Sequence, residues 1–310
     1  MIKNTKSFAP YLMLIIGAIM ISFSSVFVKL ANVAPTAAGF YRMFFGGLVL
    51  FLIVIIKSEK FFYNFRHLFY VILCAAIFAL DLIIWHRSIH YVGPGLSTLL
   101  AAFQVFFMAG IGLIVYKEKI TFKLIIAIPL ALFGLYLILG DNWTGRGDIY
   151  RLGVIFGLLT GLTYAAYVVF LRKSQNISKE ISGHSNLASI TIICAIILGI
   201  TAFIQNESFI IPDFTSLSTM LAYGIISQVL GWILISIGIL KVPTPIIGLI
   251  LLLQPTLAFV WDILFFNRPT KYFEVLGALL ALLAIYLGSQ GNKRTRRGHP
   301  ELVSGSLELN

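Results

Sequence analysis

The chain has 310 residues, of which 59% are hydrophobic and only 11% charged, and its formal net charge is +11. A soluble globular protein is about half apolar and about a quarter charged, so this composition excludes a water-facing fold and requires a bilayer as solvent. The positive charge is scattered in short clusters between long uncharged runs, which argues against a nucleic-acid-binding face.

The first uncharged run, Tyr11 to Val28, is longer than the apolar region of a cleavable signal peptide and reads as an uncleaved first membrane helix. A hydrocarbon core of about 30 Å takes about 20 residues as helix, and backbone groups in lipid must be satisfied within the helix. The apolar runs then predict spans at 9–31, 36–56, 68–88, 94–116, 121–140, 152–172, 184–204, 216–238, 244–266 and 272–290. With the N-terminus in the cytoplasm, sixteen of the 23 basic residues fall in cytoplasmic segments and five in outer ones, Lys29 and Arg42 lying within spans. That asymmetry is the positive-inside pattern. It predicts a multi-pass protein of the inner membrane with both termini cytoplasmic. After Gly291, Lys293, Arg294, Arg296 and Arg297 form a basic patch suited to anionic headgroups, and the polar tail that follows is expected to be disordered.

Shifting the chain by about 150 residues exposes an internal repeat. Gln104 in the fourth span falls on Gln254 in the ninth, and Asp81-x-x-x-Trp85 falls on Gln228-x-x-x-Trp232. Five spans per half is an odd number, so the second half enters the membrane in the opposite sense, as in many secondary transporters. The predicted fold is an all-α polytopic membrane protein of ten transmembrane helices, built from inverted five-helix repeats at 9–140 and 152–290. The tail 291–310 stands outside both.

Several residues resemble the pattern of the drug/metabolite transporter superfamily in its EamA branch. They are Lys29, Pro35 and Arg42; Asp81, Trp85, Ser88 and Tyr91; Thr98-Leu99-Leu100 and Phe103-Gln104-Val105-Phe106; Glu118; Gln254-Pro255; and Gly277. The resemblance covers about residues 9–290. It implies ten helices, a central cavity, alternating access, and functional positions at Lys29 and Glu118. Val105 stands where many members have proline, and Asn267 where the second half often has glutamate.

A charged side chain at the bilayer centre costs about 2.5–3.5 kcal/mol on insertion scales, so polar residues inside spans need partners or a task. Arg42 and Asp81 both lie roughly 10 Å deep from the outer ends of their spans. They read either as cavity-lining groups, with Arg42 meeting an anionic part of a substrate, or as a structural ion pair. Gln104, Gln228 and Gln254 are mid-helix amides, lining the cavity or bonding between helices. Trp85 and Trp232, one turn from Asp81 and Gln228, offer stacking faces, with Tyr164 and Tyr167 as further aromatic wall. Asp262 is either a proton carrier or a vestibule residue. His86, Arg87 and His90 are expected at the outer rim. Gly153, Gly157 and Gly161 repeat at four-residue spacing and predict close helix contact. Cys74 and Cys194 have no metal-binding spacing and read as apolar packing.

The predicted substrate-binding set is thus Arg42, Asp81, Trp85, Tyr164, Gln104, Gln228, Trp232 and Gln254, with Lys29, Glu118 and Asp262 for gating or coupling. No metal, cofactor or nucleic acid is implied. The expected partners are a small-molecule substrate, the lipid bilayer and protons as a candidate coupling ion, to a monomer or homodimer. The mixture of basic, acidic, amide and aromatic groups suits export of small organic metabolites such as amino acids. Import, exchange or passive facilitation is the alternative. An integral-membrane enzyme is the third reading, and neither HExxH, GxSxG nor a P-loop supports it.

Overall fold

In the computed structural model of the chain, the described residues are 9–61, 64–116, 122–139, 147–177, 181–239, 250–251 and 253–291. Their regular structure is helical throughout. The elements are α1 (Ala9–Ser22), α2 (Ser24–Leu30), α3 (Pro35–Ile56), α4 (Phe65–Val92), α5 (Pro94–Ala101), α6 (Gln104–Tyr116) and α7 (Phe122–Leu139). Then come α8 (Gly147–Ile177), α9 (Gly183–Ile204), α10 (Phe214–Ala222), a π-helical segment (Tyr223–Gly231), α11 (Trp232–Ile239), α12 (Leu253–Phe266) and α13 (Tyr272–Gly291). Among the described residues, six stretches are long and apolar enough to cross a bilayer: Ala9–Leu30, Pro35–Ile56, Phe65–Val92, Gly147–Leu171, Gly183–Ile204 and Phe214–Ile235. Four shorter apolar helices accompany them. Large apolar side chains such as Ile114, Phe133, Ile200 and Leu279 face outward, which a bilayer accepts and water does not.

Local chemistry sets the helix ends. Proline opens α3 and α5, where its missing N–H costs nothing and its fixed φ suits the first turn. Asn64, Ser182 and Asp213 cap α4, α9 and α10 by accepting the backbone N–H three residues on. Gly93 joins α4 to α5 at φ +89°, a conformation that side-chain-bearing residues resist.

Three apolar runs that hydropathy presents as continuous are interrupted. The first breaks at Phe23, where the Ser22 hydroxyl turns back to the Ile19 carbonyl at 2.6 Å, the kind of local bond that competes with the helix ladder. The fourth breaks at Ala102–Phe103. There Phe103 N–H bonds Leu100 O and Phe106 N–H bonds Phe103 O, so three-residue steps replace the α ladder although position 105 is valine. The eighth contains the π-helical stretch. In each case averaged hydropathy carries no trace of the backbone change.

α3 and α9 lie side by side and end alike. Ser58 and Asn206 take φ +52° and +53°. The N–H of Glu59 returns to Val54 O at 3.0 Å, and that of Glu207 to Ala202 O at 2.9 Å, which is the Schellman closure. Each glutamate then reaches the start of the other helix. Glu207 accepts from Thr36 N, Ala37 N and the Thr36 hydroxyl at 2.8, 3.0 and 2.7 Å. Glu59 accepts from the Ser182 and Ser185 hydroxyls. A carboxylate at a helix N-terminus meets unsatisfied N–H groups and the positive end of the dipole.

Glycine brings the other seams together. Added Cβ atoms on Gly153, Gly157 and Gly161 of α8 would lie 2.6, 2.8 and 3.0 Å from Tyr91, Leu100 and Ala101, the close contact that their spacing predicts. Gly46 of α3 and Gly224 of the π-helical segment face each other in the same way. In α7 and α13, a Cβ on Gly134 would lie 2.7 Å from Gly277 O, and one on Gly277 2.6 Å from Gly134 O. Cys74 and Cys194 are free and fully buried in the main apolar cluster.

Candidate functional site

Arg42, two turns into α3, is 5% exposed. Its Nη1 donates to the Tyr223 hydroxyl at 2.9 Å and its Nε to Gln228 Oε1 at 3.0 Å. The guanidinium also lies over two aromatic faces, 4.9 Å from the Tyr223 ring centre and 5.7 Å from that of Phe78, a favourable placement for a desolvated cation. Gln228 is held in turn, its Nε2 donating to Thr191 Oγ1 at 3.2 Å. The Tyr223 oxygen lies 3.2 Å from His86 Nε2, and His86 Nδ1 bonds the Leu82 carbonyl. A carbonyl only accepts, so Nδ1 carries the proton and Nε2 accepts from the Tyr223 O–H. The Tyr223 oxygen is then free to accept from Arg42, and the network is consistent end to end.

Tyr223 and Gln228 are five residues apart. In an α-helix that is about 140° beyond one full turn, and one arginine could not meet both. The π-helical segment bonds residue i to i+5, so residues five apart stack on one face. The unusual backbone is therefore what brings both side chains to Arg42.

Asp81 on α4 is 3% exposed and accepts from the Thr163 hydroxyl of α8 at 2.8 Å. The direct Arg42–Asp81 ion pair read from the sequence is not formed, and among the described residues Arg42 contacts no carboxylate within ion-pair distance. Arg42 is bonded instead to Tyr223 and Gln228 of the π-helical segment, and Asp81 to Thr163. Around them, Phe78 stacks on Tyr167 at 4.4 Å, Tyr164 meets Tyr167 at 6.0 Å, and Trp85 packs edge-on against His86 at 5.4 Å.

The remaining sequence candidates lie apart from this cluster. Gln104 is the first residue of α6, half-buried beside Gly161, and Gln254 is half-buried in the first turn of α12 before Pro255. Neither amide reaches the Arg42 network. Trp232 opens α11, and its indole N–H is buried without a partner among the described residues. Lys29 is exposed in the last turn of α2. Glu118 lies outside the described residues.

Residues 8–140 and 151–289 match the EamA-like transporter family. The chain belongs to that family. It is 22% identical over 210 residues to the probable amino-acid metabolite efflux pump of Escherichia coli K12, an alignment covering 64% of this chain and 68% of the relative. A solved structure described only as the crystal structure of a protein superposes with a TM-score of 0.66 at 13% identity, over 92% of this chain and 98% of the other. That likeness concerns the fold. Family and helices together make this a multi-pass membrane protein that transports a small molecule. They point away from an enzyme.

Within this EamA-like transporter, Asp262 belongs to a second buried cluster. It is 2% exposed, accepts from Gly95 N at 3.0 Å, and meets Arg268 Nη1 at 3.4 Å. Arg268 also reaches Glu274 at 3.5 Å and lies 5.2 Å from the Phe259 ring centre. Gly95 permits the approach, since a Cβ there would lie 2.8 Å from Phe259 Cα. The cluster pins the start of α5 to α12. Asp262→Ala leaves Arg268 with Glu274 as its carboxylate partner but takes the acceptor from the buried Gly95 N–H, and a buried donor left unsatisfied costs about 1–3 kcal/mol. A marked fall in melting temperature is expected in detergent, and an unchanged value would leave the clamp without energetic weight.

His86 corrects the sequence reading most sharply. It was expected at the rim with Arg87 and His90, yet it is fully buried. α4 runs on to Val92, so a residue near the edge of the hydropathy window sits well inside the bundle. Arg87 does lie at the helix end, donating to Gln205 Oε1 at 2.7 Å and facing Glu207 at 3.7 Å. Sequence reasoning also passed over Tyr223, Thr191, Thr163 and Arg268. The one available signal was Tyr223 standing in a glycine-rich stretch five residues before Gln228.

Proposed function

We propose that this EamA-like transporter is a secondary exporter of small zwitterionic metabolites, amino acids being the class that fits best. The carrying observation is Arg42: a buried guanidinium whose hydrogen-bond partners are both neutral, between aromatic faces, with the Asp81 carboxylate nearby but not paired to it. A permanently charged group so placed lacks a counter-charge, and a substrate carboxylate supplies one. Asp81, steadied by Thr163, is then the group for the substrate ammonium and the candidate for proton coupling. Trp85 and Tyr164 are assigned to the wall around the apolar part of the substrate, with Gln104, Gln228, Trp232 and Gln254 lining the path, and Lys29, Glu118 and Asp262 taking the gating positions. The name of the E. coli relative supports both the amino-acid class and the outward direction.

The mechanism we infer is alternating access between two inverted five-helix repeats, spanning the inner membrane ten times with both termini cytoplasmic. Six long and four shorter apolar helices support the span number. Two pairings and the charge distribution support the inversion. Glu59 and Glu207 follow the same Schellman closure and each reaches the start of the other's helix. Gly134 and Gly277 meet carbonyl to Cα reciprocally. The basic residues crowd on one face of the predicted topology.

The test is uptake of a mixed amino-acid library into liposomes holding the purified protein, read by mass spectrometry, with the corresponding amino-acid amides alongside. Saturable, counterflow-competent flux of acids but not of amides is expected, because only the acids offer Arg42 a carboxylate. Equal flux of acids and amides, or no protein-dependent flux, would overturn the assignment.

A further inference from the structure

Arg42 is not waiting as an open cation. Its Nε and Nη1 already donate to Gln228 and Tyr223, both on the π-helical segment, and each of those is backed by a residue of another helix: Tyr223 by His86 of α4, Gln228 by Thr191 of α9. All five side chains are buried. A substrate carboxylate that draws the guanidinium toward itself competes with these two neutral acceptors, and a carboxylate forms the stronger, charge-assisted bond.

We propose that Tyr223 is a positioning residue that parks Arg42 between transport events, with His86 fixing its hydroxyl. Substrate displaces this hydroxyl, and the displacement frees the π-helical segment to rewind. The inference rests on the carboxylate reading above and adds to it a switch in the backbone. The π geometry is the rarer and weaker helical form. Here it brings Tyr223 and Gln228 to one face for a common partner. When Arg42 turns to the substrate, the two side chains lose the common partner that aligned them. The segment is then free to adopt ordinary i to i+4 bonding, which swings Tyr223 and Gln228 apart. Gly224 lies against Gly46 and Phe45 of α3 on one side, and Gly231 against Ile21 of α1 on the other. A change of winding between these two contacts shifts α11 relative to α1 and α3. Binding at Arg42 is thereby linked to movement of the eighth span.

Tyr223→Phe removes the hydroxyl and keeps the ring under the guanidinium. In the liposome assay, with the amino acid that gives the highest flux in the wild type, this variant is expected to lower KM by about tenfold, the size of one displaced hydrogen bond to a charged group. Its maximal rate is expected to fall, because the parked state no longer re-forms readily to expel product. His86→Phe is expected to move KM in the same direction by a smaller factor. Hydrogen exchange at the amides of 223–231 is expected to slow when that amino acid is added to the wild type, as i to i+4 bonds form. A raised KM in Tyr223→Phe would make Tyr223 a substrate contact instead, and an unchanged KM with lower melting temperature would make it structural; either overturns the inference while flux stands. Exchange at 223–231 that does not respond to substrate overturns the backbone switch. Absence of saturable flux in the wild type removes the carboxylate reading and this inference together.

Discussion

Arg42→Ala is expected to abolish uptake, lowering the rate at least about a hundredfold, because a charge-assisted contact of about 3 kcal/mol is about two powers of ten in affinity. The same change leaves Tyr223 and Gln228 facing an empty, buried space, since their shared donor is gone. Arg42→Lys separates charge from shape. Lysine keeps the positive charge but lacks the planar fork that reaches Tyr223 with one nitrogen and Gln228 with another. It should fold, elute as wild type on size exclusion, and transport at a small fraction of the wild-type rate. Wild-type KM and rate in Arg42→Lys would show that a point charge suffices at this position and that the fork is incidental.

Gly134→Leu is expected to prevent stable packing of α7 on α13. The obstruction begins at the first added atom, which would lie 2.7 Å from the Gly277 carbonyl oxygen and 2.8 Å from the Ala281 nitrogen. Both are backbone atoms that cannot rotate away. Helices in lipid gain no hydrophobic advantage from association and depend on such close contact, so forcing them apart removes much of what joins them. Overpacking of this kind costs about 3 kcal/mol or more, read as a large fall in melting temperature or loss of monodisperse protein. Gly277→Leu should act alike, its Cβ lying 2.6 Å from Gly134 O. Gly110→Ala is the control: a Cβ there meets nothing within 4 Å, and stability should hold or rise. Equal melting temperatures for Gly134→Leu and Gly110→Ala would remove the seam from the account.

What was readable from the amino acids divides along physical lines. Apolar runs identify membrane helices because lipid imposes one requirement on every residue of a span, and the expected ends of α3, α7, α9 and α13 fall within a residue or two of those observed. Small residues at four-residue spacing in α8 meant close contact for the same reason. The intramembrane arginine and aspartate stood out as site candidates because buried charge is rare and costly. Their partners were not legible. Arg42 and Asp81 looked like a pair because opposite charges at equal depth usually attract, but the pairing depends on which neighbours compete, and Tyr223, Gln228 and Thr163 are neutral residues on other spans. The π-helical winding carries no hydropathy signal, since it alters hydrogen bonding and leaves composition unchanged. His86 was misplaced because a window of uncharged residues ends near it, whereas the helix does not.

The capping of α3 by Glu207 bears on how the chain is made. The first turn of α3 takes its acceptor from Glu207, 171 residues after Thr36, and Arg42 takes its two partners from the same later part. At about 5–20 residues per second, the ribosome delivers these groups roughly ten to thirty seconds after α3 has emerged. During that interval the early helices carry open amide donors and an unattended guanidinium inside the membrane or its insertion machinery. The first half is therefore an unfinished object that the second half completes, and premature release between them yields a chain with its most costly groups exposed. Quality control that recognises intramembrane charge has its opportunity there.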